Sequence, residues 1–192
     1  MLLPVSVTSC GVYHPYKYLG ERNPRCDDIS RLMMDFKNEG HRNYQRAINR
    51  FSQLAIETVR GLRIPGRPHE YFVEHPFSIA VVPSHTAGRV SPALIEVAER
   101  IVRVYRCGDV NCCLERFRSV PSAHREGGDR SITGHMSTTR VIGGNLHGRN
   151  VLLLDDVKTT GGSLSACFYL LESAGAGVII PLSLLKTANY EE

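Results

Sequence analysis

Two acidic residues followed by a segment rich in hydroxyl groups and glycine are the residues of this chain best suited to chemistry. The acids Asp155 and Asp156 follow the apolar run 151–154, and the segment after them contains Thr159, Thr160, Gly161, Gly162 and Ser163. A helix that begins at Ser163 would point its unpaired amide groups and positive dipole end at this turn, which attracts an anion, phosphate above all. Glycine allows close approach of the backbone, and hydroxyl groups add donors. The segment therefore predicts a site for a phosphate monoester.

The two carboxylates would repel a phosphate, so we expect them to face another part of the ligand. Carboxylates accept hydrogen bonds from sugar hydroxyl groups or hold hydrated Mg²⁺. A phosphorylated ribose satisfies both halves of the segment. The competing interpretation is that these residues only cap a turn and a helix. A Walker motif does not explain the pattern, because Lys158 precedes the glycines.

Apolar periodicity places this segment in an alternation of strands and helices. Helices are predicted at 26–37, 44–62 and 163–174, and a further helix is predicted to begin after a Ser91 cap, with Pro92 in its first position. Strands are predicted at 77–82, 112–117, 151–154 and 178–185. Such an alternation predicts an α/β fold with a mostly parallel sheet flanked by helices and a ligand beyond the carboxyl ends of the strands. We expect one domain over 1–192, with a small amino-terminal flap or hood at 1–25 and a core at 26–187.

Composition indicates an ordinary globular protein and limits its surroundings. The chain has 192 residues, 42% of them hydrophobic and 22% charged, and its net charge of +4 is dispersed, which favours a phosphate-bearing partner. Neither a signal peptide nor about 18 consecutive apolar residues is evident, so we expect no membrane partner and a cytoplasmic location. The six cysteines lack the spacing of a disulfide framework and are expected to be reduced; a zinc site at Cys107, Cys112 and Cys113 is the disfavoured alternative.

The segment 151–163 resembles the PRPP-binding signature of type I phosphoribosyltransferases. That signature is an apolar strand followed by two acids, an apolar residue, any residue, Thr-Thr-Gly, any residue and Thr or Ser. Over 30–187, the run Asp35-Phe36-Lys37 with Gly40, the strand that ends at Pro83 and the long basic loop resemble the ComF-like amidophosphoribosyltransferase group. The chain differs from that group in lacking its cysteine zinc module and its Gly-Phe-Asn-Gln segment after Pro83.

The resemblance implies a role for each part of the site. Asp155 and Asp156 hold the ribose hydroxyl groups as candidate catalytic residues, and residues 159–163 enclose the 5-phosphate. Mg²⁺ is bound mainly through PRPP, with the same two aspartates as candidate protein ligands. Pyrophosphate lies on the loop after the first core strand, which contains Ser84, His85, Thr86, Ala87, Gly88 and Arg89. A solvated turn is the alternative for that loop.

The polar segment 119–139 is too long for a plain connector and is the candidate flexible lid over pyrophosphate. The loop residues implied to deliver positive charge are Arg116, Arg125, Arg130 and His135. Lys37 is a further candidate by analogy. A disordered basic loop is the alternative for the segment, and an exposed surface lysine is the alternative for Lys37.

The resulting hypothesis is an Mg²⁺-dependent phosphoribosyltransferase that moves ribose 5-phosphate from PRPP to a nitrogen nucleophile and releases pyrophosphate. The acceptor is not legible, because base contacts in this class come from the variable flap. A homodimer is common in this fold and is one expected state. The alternative is a catalytically silent regulatory protein that binds PRPP or a nucleotide in competence (DNA uptake) or defence. Nucleic-acid binding rests only on modest basicity and is disfavoured.

Overall fold

The computed structural model describes residues 2–120 and 131–190, which form twelve strands and five α-helices within those ranges. The helices are α1 (Asp28–Phe36), α2 (Tyr44–Gly61), α3 (Pro92–Val104), α4 (Ile132–Met136) and α5 (Gly162–Ser173). The strands are β1 (Thr8–Ser9), β2 (Val12–Tyr13), β3 (Lys17–Tyr18), β4 (Glu21–Arg22), β5 (Arg63–Ile64), β6 (Arg67–Tyr71), β7 (Phe77–Val81), β8 (Gly108–Val110), β9 (Leu114–Arg116), β10 (Thr139–Val141), β11 (Asn150–Lys158) and β12 (Ile179–Thr187).

The central sheet is parallel and has the order β1–β12–β11–β7–β8, with β2 also pairing with β12. This confirms the predicted α/β fold with a mostly parallel sheet flanked by helices. Strand β11 pairs with β7 only as far as Leu154, opposite Val81, whereas its pairing with β12 continues to Lys158. The carboxyl end of β11 therefore projects past its neighbour β7 and opens a step at that edge of the sheet.

Alternate residues of β11 enter two separate cores, one on each face of the sheet. Leu152 and Leu154 pack with helices α1, α2 and α3, whereas Val151 and Leu153 pack on the α5 side with Leu164 and other residues. Successive side chains of a strand point to opposite faces, so an unbroken apolar run is what a strand covered on both faces requires. The same alternation sets the directions of the polar residues that follow.

The amino-terminal segment was predicted as a flap or hood over 1–25, and the structure places it in two parts. Strands β1 and β2 pair in parallel with β12 at the edge of the central sheet. Only the β3–β4 hairpin stands outside that sheet, held at Asn23, whose side-chain amide donates to the Tyr190 hydroxyl at 2.7 Å. The physical reason is that β12 has nine residues, and an unpaired edge of that length leaves amide and carbonyl groups without partners.

Most predicted elements form near their predicted limits. The length of β11, the pairing of β9 and the identity of the edge strand differ from the prediction. The Ser91 hydroxyl accepts a hydrogen bond from the Leu94 amide and Pro92 begins α3, as predicted. The strand predicted at 151–154 continues to Lys158, so both aspartates lie on the strand itself. Strand β9 pairs in antiparallel fashion with β10 outside the central sheet, and the sheet edge is instead the three-residue β8, which was not predicted.

Among the described residues, every helix is too short or too polar to cross a lipid bilayer.

Candidate functional site

A cleft of about 590 Å³ opens at the carboxyl ends of β7 and β11, and both predicted loops line it. All five predicted phosphate-binding residues and both aspartates contribute to its wall. From the loop after β7 the lining residues are Ser84, His85, Thr86 and Arg89. The structure thus brings together residues that are separated by about seventy positions in the chain, because parallel neighbouring strands end at the same edge.

Two residues of the predicted pyrophosphate loop, Ala87 and Gly88, do not line the cleft and instead bind protein atoms. The Ala87 amide donates to the Ser119 hydroxyl at 2.9 Å, and the Gly88 amide donates to the Arg116 carbonyl oxygen at 2.8 Å. Gly88 has a φ of +68°, so the tight turn at this point needs glycine. Ala87 and Gly88 therefore shape the loop, whereas its other residues face the cleft.

Helix α5 begins at the cleft, and its N-cap residue, Gly161, has no side chain to cap the helix. Gly161 precedes it with a φ of +82°, and a Cβ atom at this position would lie 3.1 Å from Cε of Lys158. Glycine is required here because the left-handed conformation strains other residues. The first amide groups of α5 and the positive end of its dipole consequently face the cleft, where the Ser163 hydroxyl lies 3.4 Å from the His135 ring.

The threonines of the same turn bind within the protein. The Thr160 hydroxyl accepts from the Gly162 amide at 3.4 Å, and the Thr159 and Thr187 hydroxyl groups lie 3.1 Å apart. Both threonines are exposed and line the cleft. Their hydroxyl groups are therefore accessible to a ligand that replaces these long contacts.

The two aspartates point to opposite faces of the sheet at the end of β11. Asp156 faces α1, where one of its carboxylate oxygens lies 2.9 Å from Nζ of Lys37. Asp155 faces the α5 side, where its charge acts on Cys167 and Arg116. Each carboxylate also accepts the amide of the next residue, from Asp156 at 2.8 Å and from Val157 at 2.5 Å. These bonds give acceptors to the amides of Asp156 and Val157, in the part of β11 that no longer pairs with β7.

Burial and charge repulsion make Asp155 an unusual carboxyl group. Burial, followed by repulsion from Asp156, raises the pKa of Asp155 from 3.8 to about 7, although Lys37 and Arg116 act in the opposite direction. Burial lowers the pKa of Lys37, but attraction to Asp156 and then Asp155 outweighs it, so the Lys37 pKa lies above its ordinary value. The site therefore combines a lysine that stays charged with a carboxyl group that titrates near neutral pH.

This titration predicts a pH dependence of stability that the change Asp155→Asn removes. Because the folded-state pKa is raised, the contribution of Asp155 is fully present below pH 3.8 and is lost as the pH rises through about 7. Without divalent metal, we expect Asp155→Asn to gain about 1 kcal/mol or more over the wild type between pH 4 and 8, since a tenfold change in acidity corresponds to about 1.4 kcal/mol. Urea unfolding at each pH measures it. Glu172→Gln, an exposed change on α5, is the control, and parallel curves for Asp155→Asn and wild type would contradict the prediction.

Arg116, which the sequence predicted as a flexible-loop residue, is buried in the structure. It is the largest fully buried side chain among the described residues, with 1% of its surface exposed. Its Nε donates to the Ser84 carbonyl at 2.7 Å and its Nη1 donates to the Thr138 hydroxyl at 2.7 Å. Pairing of β9 with β10 turns this side chain inward at the base of the segment, so Arg116 is not a lid residue.

Of the other predicted lid residues, one lines the cleft and two lie outside the described residues. His135 lies on α4 and lines the cleft near Ser163. Arg125 and Arg130 lie outside the described residues. Lys37, which the sequence indicated only by analogy, lines the cleft and binds Asp156.

The donor set fits a magnesium ion that takes most of its ligands from a bound phosphate compound. Asp155 and Asp156 supply the oxygen atoms that Mg²⁺ prefers, and Mg²⁺ usually binds proteins through one or two carboxylates together with substrate phosphates and water. Among the described residues no cluster of three or more His, Cys, Asp and Glu side chains could hold a metal by itself. All six cysteines are free thiols, and Cys113 and Cys167 are buried.

Comparison with known proteins finds local similarity to phosphoribosyltransferases, and no protein-family model matches the chain. The chain is 53% identical over 45 residues to an adenine phosphoribosyltransferase of Corynebacterium jeikeium, which is 21% of this chain and 22% of the relative. It is 40% identical over 55 residues to an orotate phosphoribosyltransferase of Sulfurisphaera tokodaii, covering 29% of this chain and 28% of the relative. The matches thus span less than a third of either relative.

Two solved structures match part of this chain at low TM-scores. One is a phosphoribosylpyrophosphate synthetase from Mycobacterium smegmatis, with a TM-score of 0.41, 16% identity and coverage of 71% of this chain and 33% of that chain. The other is a purine phosphoribosyltransferase from Pyrococcus horikoshii, with a TM-score of 0.40, 15% identity and coverage of 74% and 82%.

Proposed function

We propose that this protein is a phosphoribosyltransferase that transfers ribose 5-phosphate from PRPP to a nitrogen nucleophile and releases pyrophosphate, with Mg²⁺ as cofactor. The observation that carries the proposal is the single cleft in which the uncapped start of α5, the two aspartates of β11 and the loop after β7 meet. Local identity to two phosphoribosyltransferases supports it. A ComF-like member of this class is the finer form of the proposal, supported by the sequence resemblance.

Each part of the cleft matches one part of PRPP. The amides and hydroxyl groups of residues 159–163 would bind the 5-phosphate, because helix starts favour phosphate. The carboxylates of Asp155 and Asp156 would accept hydrogen bonds from the ribose hydroxyl groups. His85, Thr86 and Arg89 would bind pyrophosphate as donors. The cleft volume of about 590 Å³ lies within the usual range of about 300–1,000 Å³ for a small-molecule site.

Loss of pyrophosphate from the ribose would develop positive charge on the sugar ring, as in glycoside cleavage. Fixed carboxylates beside the ring stabilise such charge, and Arg89 would stabilise the departing anion. Lys37 holds the Asp156 carboxylate in place through their ion pair. When bound, Mg²⁺ would neutralise charge on pyrophosphate and be held by PRPP oxygens, with Asp155 and Asp156 as its candidate protein ligands.

The acceptor is proposed only as a nitrogen nucleophile. The part of the cleft wall next to Lys37 includes Glu39 and Tyr44, which combine an acid with an aromatic ring. A planar base or an amine could contact such a wall. The two relatives take their names from different acceptors, adenine and orotate.

A catalytically silent protein that binds PRPP or a nucleotide as a signal, in DNA uptake or defence, is the second candidate. The bonds of Ala87 and Gly88 favour it, because two amides of the predicted pyrophosphate loop already have protein acceptors and are not available to an anion. Such a loop would bind pyrophosphate less strongly and would stabilise its departure less.

Calorimetry and a turnover assay together test both candidates. PRPP titrated into the protein at millimolar Mg²⁺ is expected to give saturable heat, and pyrophosphate release is then measured with a panel of purine and pyrimidine bases and amines. Turnover with one acceptor supports the transferase. Binding without turnover for every acceptor supports the silent protein, and absence of heat with both PRPP and ribose 5-phosphate overturns both candidates.

A further inference from the structure

We propose that Arg116 is a positioning residue that holds the loop after β7 in the conformation that binds pyrophosphate. This inference rests on the proposed function and assigns a role outside the cleft surface. Arg116 does not line the cleft and is 1% exposed, so it acts through the loop and not by contact with the ligand.

Both ends of the loop are attached to this one residue. The Arg116 guanidinium donates through Nε to the carbonyl oxygen of Ser84 at 2.7 Å, and the Arg116 carbonyl oxygen accepts from the Gly88 amide at 2.8 Å. Strand β9 therefore sets the distance between the start and the end of the loop. Nearby, the Val120 amide donates to the His85 carbonyl oxygen at 2.9 Å and adds a second attachment from the same chain segment.

These bonds direct the carbonyl oxygens of the loop to protein donors. The Arg89 carbonyl accepts from the Ser84 amide at 2.9 Å, and the Thr86 carbonyl accepts from the Arg89 amide at 3.3 Å. Together with the bonds to Ser84 and His85, they occupy the carbonyls that would otherwise repel an anion. Of these donors only Arg116 is charged, and charge-assisted hydrogen bonds are about twice as strong as neutral ones.

Arg116 also reaches the phosphate side of the cleft through a short chain of contacts. Its Nη1 donates to the Thr138 hydroxyl, which in turn donates to the His135 carbonyl oxygen at 3.0 Å, and the His135 ring lies 3.4 Å from the Ser163 hydroxyl. A buried guanidinium is costly, and a nonpolar residue of similar volume often stabilises a fold as well or better. The buried arginine is therefore better explained by the geometry it holds than by a gain in stability.

The change Arg116→Met tests the proposal with two probes, inorganic pyrophosphate and ribose 5-phosphate, titrated into the full chain with Mg²⁺. We expect pyrophosphate affinity to fall about tenfold to a hundredfold, because a charged hydrogen bond is lost. Ribose 5-phosphate affinity, which depends on the start of α5, should stay within about twofold, because three successive contacts, the last of them 3.4 Å long, separate Arg116 from Ser163. Arg116→Lys keeps the charge and one donor and should recover part of the pyrophosphate affinity.

Ser119→Ala is the second variant and changes an exposed residue, so it tests the loop even if Arg116→Met does not fold. It removes the acceptor of the Ala87 amide, and because Ala87 does not line the cleft, the released amide gives pyrophosphate no new donor and only loosens the loop. Pyrophosphate affinity is therefore expected to fall about threefold or more, while ribose 5-phosphate affinity is unaffected. If the variants lose affinity for both probes equally, or for neither, the role of Arg116 is overturned. A wild type that binds neither probe nor PRPP overturns the proposed function as well.

Discussion

Changing Asp155 and Asp156 together to asparagine is expected to lower kcat/KM for PRPP by about 10²–10⁴-fold. Each carboxylate is proposed to accept a hydrogen bond from the ribose and to stabilise positive charge on its ring. A hydrogen bond to a charged group contributes about 1.5–3 kcal/mol, and each 1.4 kcal/mol corresponds to tenfold. Asparagine has the same shape and leaves one oxygen acceptor, so the loss reports charge and not volume.

The assay is pyrophosphate release at saturating acceptor over a range of PRPP concentrations. Asp109→Asn is the matched control, because Asp109 lies on β8 opposite Ser78, at the other end of the strands, where it pairs with Arg149 at 2.7 Å. We expect this control to stay within about twofold of the wild type, since distant sites act independently. A double variant that retains wild-type kcat/KM would show that the carboxylates serve only to cap the end of β11.

The change Ser163→Asp is expected to weaken ribose 5-phosphate binding about a hundredfold or more while leaving the fold intact. Ser163 is the second residue of α5 and lines the cleft. A carboxylate near a helix start stabilises the helix by about 0.3–1 kcal/mol. The same carboxylate would face the bound phosphate, and like charges in contact cost several kcal/mol. Stability and binding should therefore change in opposite directions.

Calorimetry with ribose 5-phosphate and thermal unfolding of the free protein measure the two effects. Ser163→Ala is the matched control and should weaken binding only about threefold to tenfold, because it removes one hydroxyl donor without adding charge. If Ser163→Asp binds ribose 5-phosphate as tightly as Ser163→Ala does, the phosphate does not lie at the start of α5, and the orientation proposed for PRPP is wrong.

The raised pKa of Asp155 reflects the cost of placing two adjacent carboxylates at the end of a buried strand. Burial and repulsion from Asp156 make the ionised form costly, and Lys37 offsets only part of this cost. Asparagine at position 155 would accept the same amide without this cost. A ligand with hydroxyl groups to donate would instead recover the cost on binding, which is the pattern expected of a functional site.

Local features of the sequence were sufficient to predict the sheet and the position of the candidate site. The apolar runs 79–82 and 151–154 have no polar interruption, which is the pattern of a strand covered on both faces. Glycine at 161 and the hydroxyl groups around it indicated a helix start open to an anion. These predictions depend on neighbours in the chain, so they need no knowledge of distant contacts.

Tertiary structure decided which face each site residue uses and which distant residue it contacts. Asp155 and Asp156 diverge because β11 continues past Leu154, and the ion pair of Asp156 with Lys37 joins positions more than a hundred residues apart. Arg116 looked like a loop arginine, yet pairing of β9 with β10 buries it beneath Ser84. Likewise, β1 and β2 joined the sheet because β12 offered an open edge. Strand register and edge pairing depend on segments that meet only when the whole chain folds, so local periodicity carries no record of them.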